Sequence, residues 1–191
     1  HGWYPGALGG LAVAEILAGE ANPCAKLPVT IYSADSEFPD FKDYDMRGRT
    51  YRYLNKDEKV VYPYGFGLTY TDFEFSALEI KEKTDEKITL NVTVTNAGKV
   101  ASKNKLQAYA SYSDSRTTTP NFQLCAITPV EIAAGQSVKA ELEIDRWWVK
   151  AVLEDGQRVE PDGEIILYVS DRQPDERSNE LSSSNVLSIK L

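Results

Sequence analysis

Histidine is nearly missing from this chain, with His1 the one example among 191 residues. Cysteine and methionine are scarce too, limited to Cys24, Cys125 and Met46. Without those bases and ligands, Ser-His-Asp and Cys-His catalysis and Cys/His zinc sites are excluded, and no metal site or cofactor is expected. Basic side chains are outnumbered, 21 Lys and Arg against 29 Asp and Glu, for a formal charge of −8. Such a balance suits neither phosphate backbones nor anionic lipid surfaces, so neither nucleic acid nor membrane is expected as a partner. Long apolar runs are lacking: the most apolar helical stretch, Leu11 to Ala18, is short and carries Glu15, too little for a membrane span. The opening His1-Gly2-Trp3-Tyr4-Pro5-Gly6 has neither the basic flank nor the apolar run of a signal peptide. The chain is therefore read as a fragment, and with its start missing the compartment is not readable from targeting signals.

What is present is ordinary globular material, 42% apolar and 26% charged, sufficient for one domain with an appendage. Gly9-Gly10 precede Leu11, Val13, Ala14, Leu17 and Ala18, closed by Gly19, which predicts a buried helix with a glycine stop. Leu27 to Tyr32 reads as a strand, placed at an edge or a strand start by Pro28. From Ser33 to Tyr70 no period is sustained, and a connection of that length usually has a function. Beyond Tyr70 period-2 alternation dominates. Ile88, Leu90, Val92 and Val94 form one core face. Leu106, Ala108 and Ala110 form a second, and Val138, Ala140, Leu142 and Ile144 a third. Ile165 to Val169 is apolar on both faces, as a central strand requires, and Leu187, Ile189 and Leu191 supply the last strand. Between Phe75 and Leu78 the parity changes, the mark of a bulge. With Ile127 to Ile132 these make about seven short strands, the pattern of an antiparallel β-sandwich.

Each candidate motif has a plainer competitor. Gly6 to Gly10 matches no phosphate-loop spacing and reads as a tight turn into the helix. Cys24 and Cys125 read as small buried hydrophobes. Asn91-Val92-Thr93 fits a glycosylation sequon but lies in a strand, where a solvent-facing Asn and Thr are expected. Arg49-Thr50-Tyr51-Arg52-Tyr53 concentrates cations and aromatics in an acidic chain. Extended, it would place Arg49, Tyr51 and Tyr53 on one face, able to stack on a sugar or hold carboxylates; docking of one domain on another is the favoured reading. Trp147 and Trp148 form either a sugar-stacking platform or, if the chain bends, a plug at the sandwich end. Asp35, Glu37, Asp40, Asp43 and Asp45 cluster in the connection, where a solvated acidic loop explains them without a catalytic pair.

Trp3-Tyr4-Pro5-Gly6, the helix opened by Gly9-Gly10, and Asn22-Pro23-Cys24-Ala25-Lys26-Leu27-Pro28-Val29-Thr30 together resemble the end of the second domain of glycoside hydrolase family 3 enzymes. The resemblance continues through Gly48 to Tyr53 and Tyr62-Pro63-Tyr64-Gly65-Phe66-Gly67-Leu68-Thr69-Tyr70-Thr71-Asp72-Phe73, in the family's order. Val94 to Gly98 and Ala134 to Ser137 resemble the fibronectin type III-like domain that follows. The departures are Leu8, where members often carry an acidic residue, and Ala25, where glycine is common. The resemblance implies a retaining β-glycosidase, a β-glucosidase first and a β-xylosidase second, whose barrel and α/β sandwich are this chain's partners and whose substrates are oligo- or aryl β-glycosides. Its nucleophile would be an aspartate of the barrel and its acid/base would lie upstream, so no residue here is assigned as catalytic. The expected division is residues 1–36 as the end of the α/β sandwich domain, 37–67 as linker and 68–191 as a seven-stranded fibronectin type III-like sandwich. Trp3, Tyr4, Arg49, Tyr51 and Arg52 are the candidates for substrate rim or domain docking. The competing function is a non-catalytic carbohydrate-binding or interface module.

Overall fold

The computed structural model describes residues 2–34, 39–55, 59–113, 116, 119 and 121–191. In chain order it places α1 (Gly9–Ala18), β1 (Ile31–Tyr32), α2 (Thr50–Tyr53) and β2 (Val60–Tyr62) ahead of the strand-rich remainder. Then come β3 (Phe73–Lys83), β4 (Lys87–Asn96), β5 (Ser102–Tyr112), β6 (Gln123–Ile132) and β7 (Ser137–Asp145). A 3₁₀ turn (Arg146–Val149), β8 (Ala151–Val152), β9 (Arg158–Val159), β10 (Ile165–Ser170), α3 (Glu176–Leu181) and β11 (Leu187–Lys190) complete it.

The alternating strands form the expected sandwich. One antiparallel sheet has the order β3-β4-β7 and the other β11-β10-β5-β6, seven strands in all among the described residues. Because successive side chains point to opposite faces, Ile88, Leu90, Val92 and Val94 all turn inward, directly opposite Ile144, Leu142, Ala140 and Val138. They meet Leu106, Ala108 and Ala110 of β5 and Ile165, Leu167 and Val169 of β10 in one continuous core. β10 lies between β5 and β11, as its two-faced apolar sequence requires. The parity change in β3 is a register shift between Ser76 and Glu79, with Ala77 at φ 51°.

Several expectations are corrected. The helix expected to be buried is present, but Gly9 is its one buried residue, while Leu11 is 57% and Leu17 79% exposed. The strand expected over Leu27 to Tyr32 shrinks to Ile31–Tyr32, paired with β2. Pro28 has no N–H to give, and Leu27 instead exchanges backbone hydrogen bonds with the 65–66 segment, N–H to Phe66 O and C=O from Gly65 N, both 2.8 Å. Asn91 is buried rather than solvated, because Glu79 of β3 crosses the outer face and accepts its Nδ2 at 3.0 Å. Residues 50–53 are a helical turn, not an extended strip. The connection, which sustains no period in sequence, carries α2 and β2.

Candidate functional site

The described residues of the connection fold over the outer face of the four-stranded sheet. β5 is buried on both sides there: Leu106, Ala108 and Ala110 face the core, while Gln107 and Tyr109 face outward yet are covered. Their cover is aromatic. The Tyr51 ring stacks on Tyr64 at 4.4 Å between centroids, lies 6.2 Å from Phe122 and meets Tyr109 edge-on at 6.1 Å. Polar bonds fix it in place: the Leu124 N–H donates to Tyr51 Oη at 3.1 Å, and the Asn121 amide donates to the carbonyls of Tyr51 and Leu54 at 3.1 and 3.0 Å. Burial pushes the Tyr64 phenol up and the Tyr109 phenol well above its ordinary value. Tyr109 therefore keeps the proton that it donates to Gln107 Oε1 at 2.6 Å.

Thr50 enters this turn at φ 56°, an uncommon backbone for a β-branched residue. Its N–H donates to Tyr32 Oη at 2.9 Å, tying α2 to β1. Gly65 sits at φ +78° against the sheet, where an added Cβ would stand 2.6 Å from Gln107 Oε1. At Gly67 a Cβ would meet the Ala25 carbonyl oxygen at 2.1 Å, so glycine is needed for the 25–27 segment to approach.

A buried ionic cluster closes the same joint. Lys26 Nζ lies 3.1 Å from Asp171 Oδ2, Ser184 Oγ donates to Oδ1 at 2.7 Å, and Arg172 lies 3.8 Å away. Burial by itself would raise the Asp171 carboxyl, but the Lys26 charge and the Ser184 hydrogen bond hold it below the usual carboxylate range. The Gln107 amide completes the latch by donating to Asp171 O at 2.8 Å and to Gly65 O at 3.2 Å.

Of the sequence candidates, Arg49, Tyr51 and Arg52 come together around α2, with Tyr51 turned inward onto this chain's own sandwich. Arg49 keeps Nε and one Nη without a hydrogen bond, the Asp43 carboxylate standing 3.7 Å from its guanidinium. Trp3 and Tyr4 lie on another segment ahead of α1, both exposed. Trp147 and Trp148 sit in the 3₁₀ turn, so the chain does bend, but they remain 46% and 41% exposed and the buried residue there is Val149. Trp147 has the Arg158 guanidinium 3.6 Å above its ring and Trp148 packed against it in a T, which takes up much of a would-be sugar platform. In the acidic connection Asp35 and Glu37 fall outside the described residues. Asp40, Asp43 and Asp45 accept backbone N–H groups two residues ahead in exposed turns. Among the described residues no group of three or more His, Cys, Asp or Glu is placed to hold a metal ion, and no helix is long and apolar enough to cross a membrane. Cys125 is buried, its thiol pushed up to about 12 by burial, and both cysteines are free.

Lys26, Gln107, Asp171, Arg172, Gln173 and Ser184 were not among the sequence candidates. The one signal was the polar run Ser170 to Gln173 directly after a wholly apolar strand.

One cavity of about 630 Å³ opens beside this joint, between Tyr51, Thr30, Phe122 and the segment carrying α3. A shallower one of about 290 Å³ lies between Arg52, Tyr64, Ile127 and Trp148.

Residues 1–70 match the Glycosyl hydrolase family 3 C-terminal domain and residues 105–173 the Fibronectin type III-like domain. A xylan 1,4-β-xylosidase of Xylanibacter ruminicola is 37% identical over 145 residues, covering 75% of this chain and 16% of that protein. A periplasmic β-glucosidase of Salmonella typhimurium is 30% identical over 156 residues, 75% of this chain and 20% of that protein. The solved β-glucosidase DesR of Streptomyces venezuelae, in complex with D-glucose, superposes with a TM-score of 0.78 at 25% identity, covering 99% of this chain and 25% of that one. This chain thus spans 16% to 20% of these curated relatives.

Proposed function

We propose, from a chain that carries the C-terminal domain of glycosyl hydrolase family 3 joined to a fibronectin type III-like domain and so belongs to that family, that its parent enzyme removes terminal β-linked sugars from oligo- or aryl β-glycosides. Glucose is the first expected sugar and xylose the second. The reaction is a double displacement through a glycosyl-enzyme intermediate, with both catalytic carboxylates outside these residues. This chain acts as scaffold. Residues 1–36 complete the α/β domain, 37–67 fasten it, and the sandwich of 68–191 anchors the fastening.

The observation that carries this reading is α1 with the residue that caps it: Leu8, Leu11, Val13 and Leu17 all stand exposed. These side chains project from opposite sides of a helix that is apolar all round, so burying them requires surrounding partner surface, and the remainder of an α/β sandwich domain supplies it. Trp3 and Tyr4, both exposed, and Arg49, with Nε and one Nη outside any hydrogen bond, are the side chains proposed to meet the other domains or the substrate rim. The second reading, a non-catalytic carbohydrate-binding or interface module, draws on the exposed Trp148 and on the same exposed helix.

The test is turnover of aryl β-glucosides and β-xylosides by the parent enzyme and by the 191-residue chain. Hydrolysis by the parent and none by the chain is expected. Turnover by the chain, lost on mutating one of its own carboxylates, overturns the assignment of scaffold.

A further inference from the structure

We propose that the 290 Å³ groove between α2 and the edge strand β6 binds a carboxylate borne on a single aromatic ring. One cation in that groove has no counter-charge. Arg47, Arg49, Arg116, Arg146, Arg172 and Arg177 each have a carboxylate at 3.8 Å or less, and Arg158 lies over the Trp147 ring. Arg52, half-buried in a chain of net charge −8, has no carboxylate in salt-bridge range among the described residues. An arginine in a protein keeps its charge, so a partly desolvated guanidinium without a partner gains from any anion that can reach it.

The guanidinium stands among the walls of the groove. The Tyr51 and Tyr53 phenols lie beside it, and its charge reaches the Tyr64 and Tyr112 phenols as well. Tyr51 and Tyr64 line the groove as a stacked pair, with Tyr51 Oη held by the Leu124 N–H of β6 at 3.1 Å. Trp148 and Ile127, 41% and 54% exposed, supply the open part of the wall. Trp148 is held in place: its carbonyl accepts the Gln123 amide, Trp147 packs against it in a T, and Asp145 caps the turn through the Trp147 N–H at 2.8 Å. The groove is thus pre-formed, as small-molecule sites usually are.

These walls select the ligand. Arg52 is the one charged residue among those lining the groove, which matches a monoanion and leaves most of a phosphate's charge unmet. A planar guanidinium fork fits a carboxylate through two parallel hydrogen bonds. Tyr64, Ile127 and Trp148 offer aromatic and apolar contact to the rest of the molecule, and a volume at the small end of ligand pockets suits one ring rather than several. A neutral sugar would leave Arg52 unpaired, so the inference does not rest on the hydrolase reading.

Titration of the 191-residue chain with phenylacetate, followed by tryptophan fluorescence and by calorimetry at constant ionic strength, tests it. Phenylacetate is expected to saturate. Phenylacetamide, which has the ring without the charge, and acetate, which has the charge without the ring, should each bind at least about tenfold more weakly. Arg52→Met should bring phenylacetate down to the level of phenylacetamide and Trp148→Ala should weaken it severalfold, whereas Arg47→Met, which removes an exposed guanidinium elsewhere, should leave it unchanged. Circular dichroism checks that the variants fold, and if Arg52→Met does not, the comparison of carboxylate with amide in the unaltered chain decides. The parent enzyme should saturate with phenylacetate too. No saturable binding by the chain, equal binding of the amide, or unchanged affinity in folded Arg52→Met or Trp148→Ala overturns the site. So does loss of binding in Arg47→Met, or binding by the chain but not by the parent, where a carboxylate of another domain would already hold Arg52. Each of these failures leaves the hydrolase reading intact, because that is judged by turnover of the parent enzyme.

Discussion

Leu142 and Leu11 are the same residue with opposite surroundings. Leu142, in β7, is 0% exposed, opposite Leu90 and within a core built wholly from this chain's strands. Leu11, in α1, is 57% exposed. The contrast separates two kinds of apolar surface. A strand's alternation is answered inside the chain by the facing sheet, whereas Leu11, Val13 and Leu17 of the helix are left exposed by the described residues. The sandwich is thus equipped to be stable alone, and α1 to be stable in company.

The largest expected effect follows from that pair. Leu142→Ala should lower the unfolding free energy of the chain by about 2 to 5 kcal/mol, the range for a leucine deleted from a packed core. Leu11→Ala should shift it by less than about 0.5 kcal/mol, as exposed positions do. Urea unfolding of the two variants measures both, and comparable costs would dissolve the distinction.

A smaller effect is expected at the joint between the two regions. Asp171→Asn leaves Lys26 without its counter-charge in a nearly enclosed position, at a cost of about 2 kcal/mol, below the full value for a buried pair because Lys26 retains some solvent. The pH dependence follows from the direction of the shift. The Asp171 carboxyl titrates lower in the fold than in the unfolded chain, where an aspartate sits near ~3.9. Its stabilisation is complete above that value and is lost as the pH falls through the folded value. The stability gap between wild type and Asp171→Asn, read from urea midpoints, should therefore be full at neutral pH and shrink toward strong acid. A gap that widens on acidification would mean that the latch is not ionic.

Sequence alone made the sandwich readable because burial there depends on parity, and parity is written locally: Ile88 to Val94 and Val138 to Ile144 declare their faces one strand at a time. Even the break in β3 was legible. The joint was not. Gln107 and Tyr109 occupy the face of β5 that alternation assigns to solvent, and it is the returning connection, with Tyr51 and Tyr64, that buries them. Lys26 and Asp171 are 145 residues apart, so no local pattern pairs them. Tyr51 was singled out for its chemistry, but its direction depended on Thr50 entering the helical turn at positive φ, which β-branched residues seldom do. The helix at Gly9 was legible as a helix. Its exposure was not, since an apolar helix sequence calls for burial without saying which chain supplies the cover.

Native-state hydrogen exchange on the 191-residue chain, read peptide by peptide, tests the division most directly. The expected result is that amides of β4, β5, β7 and β10 exchange only through global unfolding, while those of α1 exchange through local opening at much smaller free energy. Protection of α1 equal to that of the sandwich strands, rising and falling with them across denaturant, would contradict it and would make the helix and the sandwich one cooperative unit.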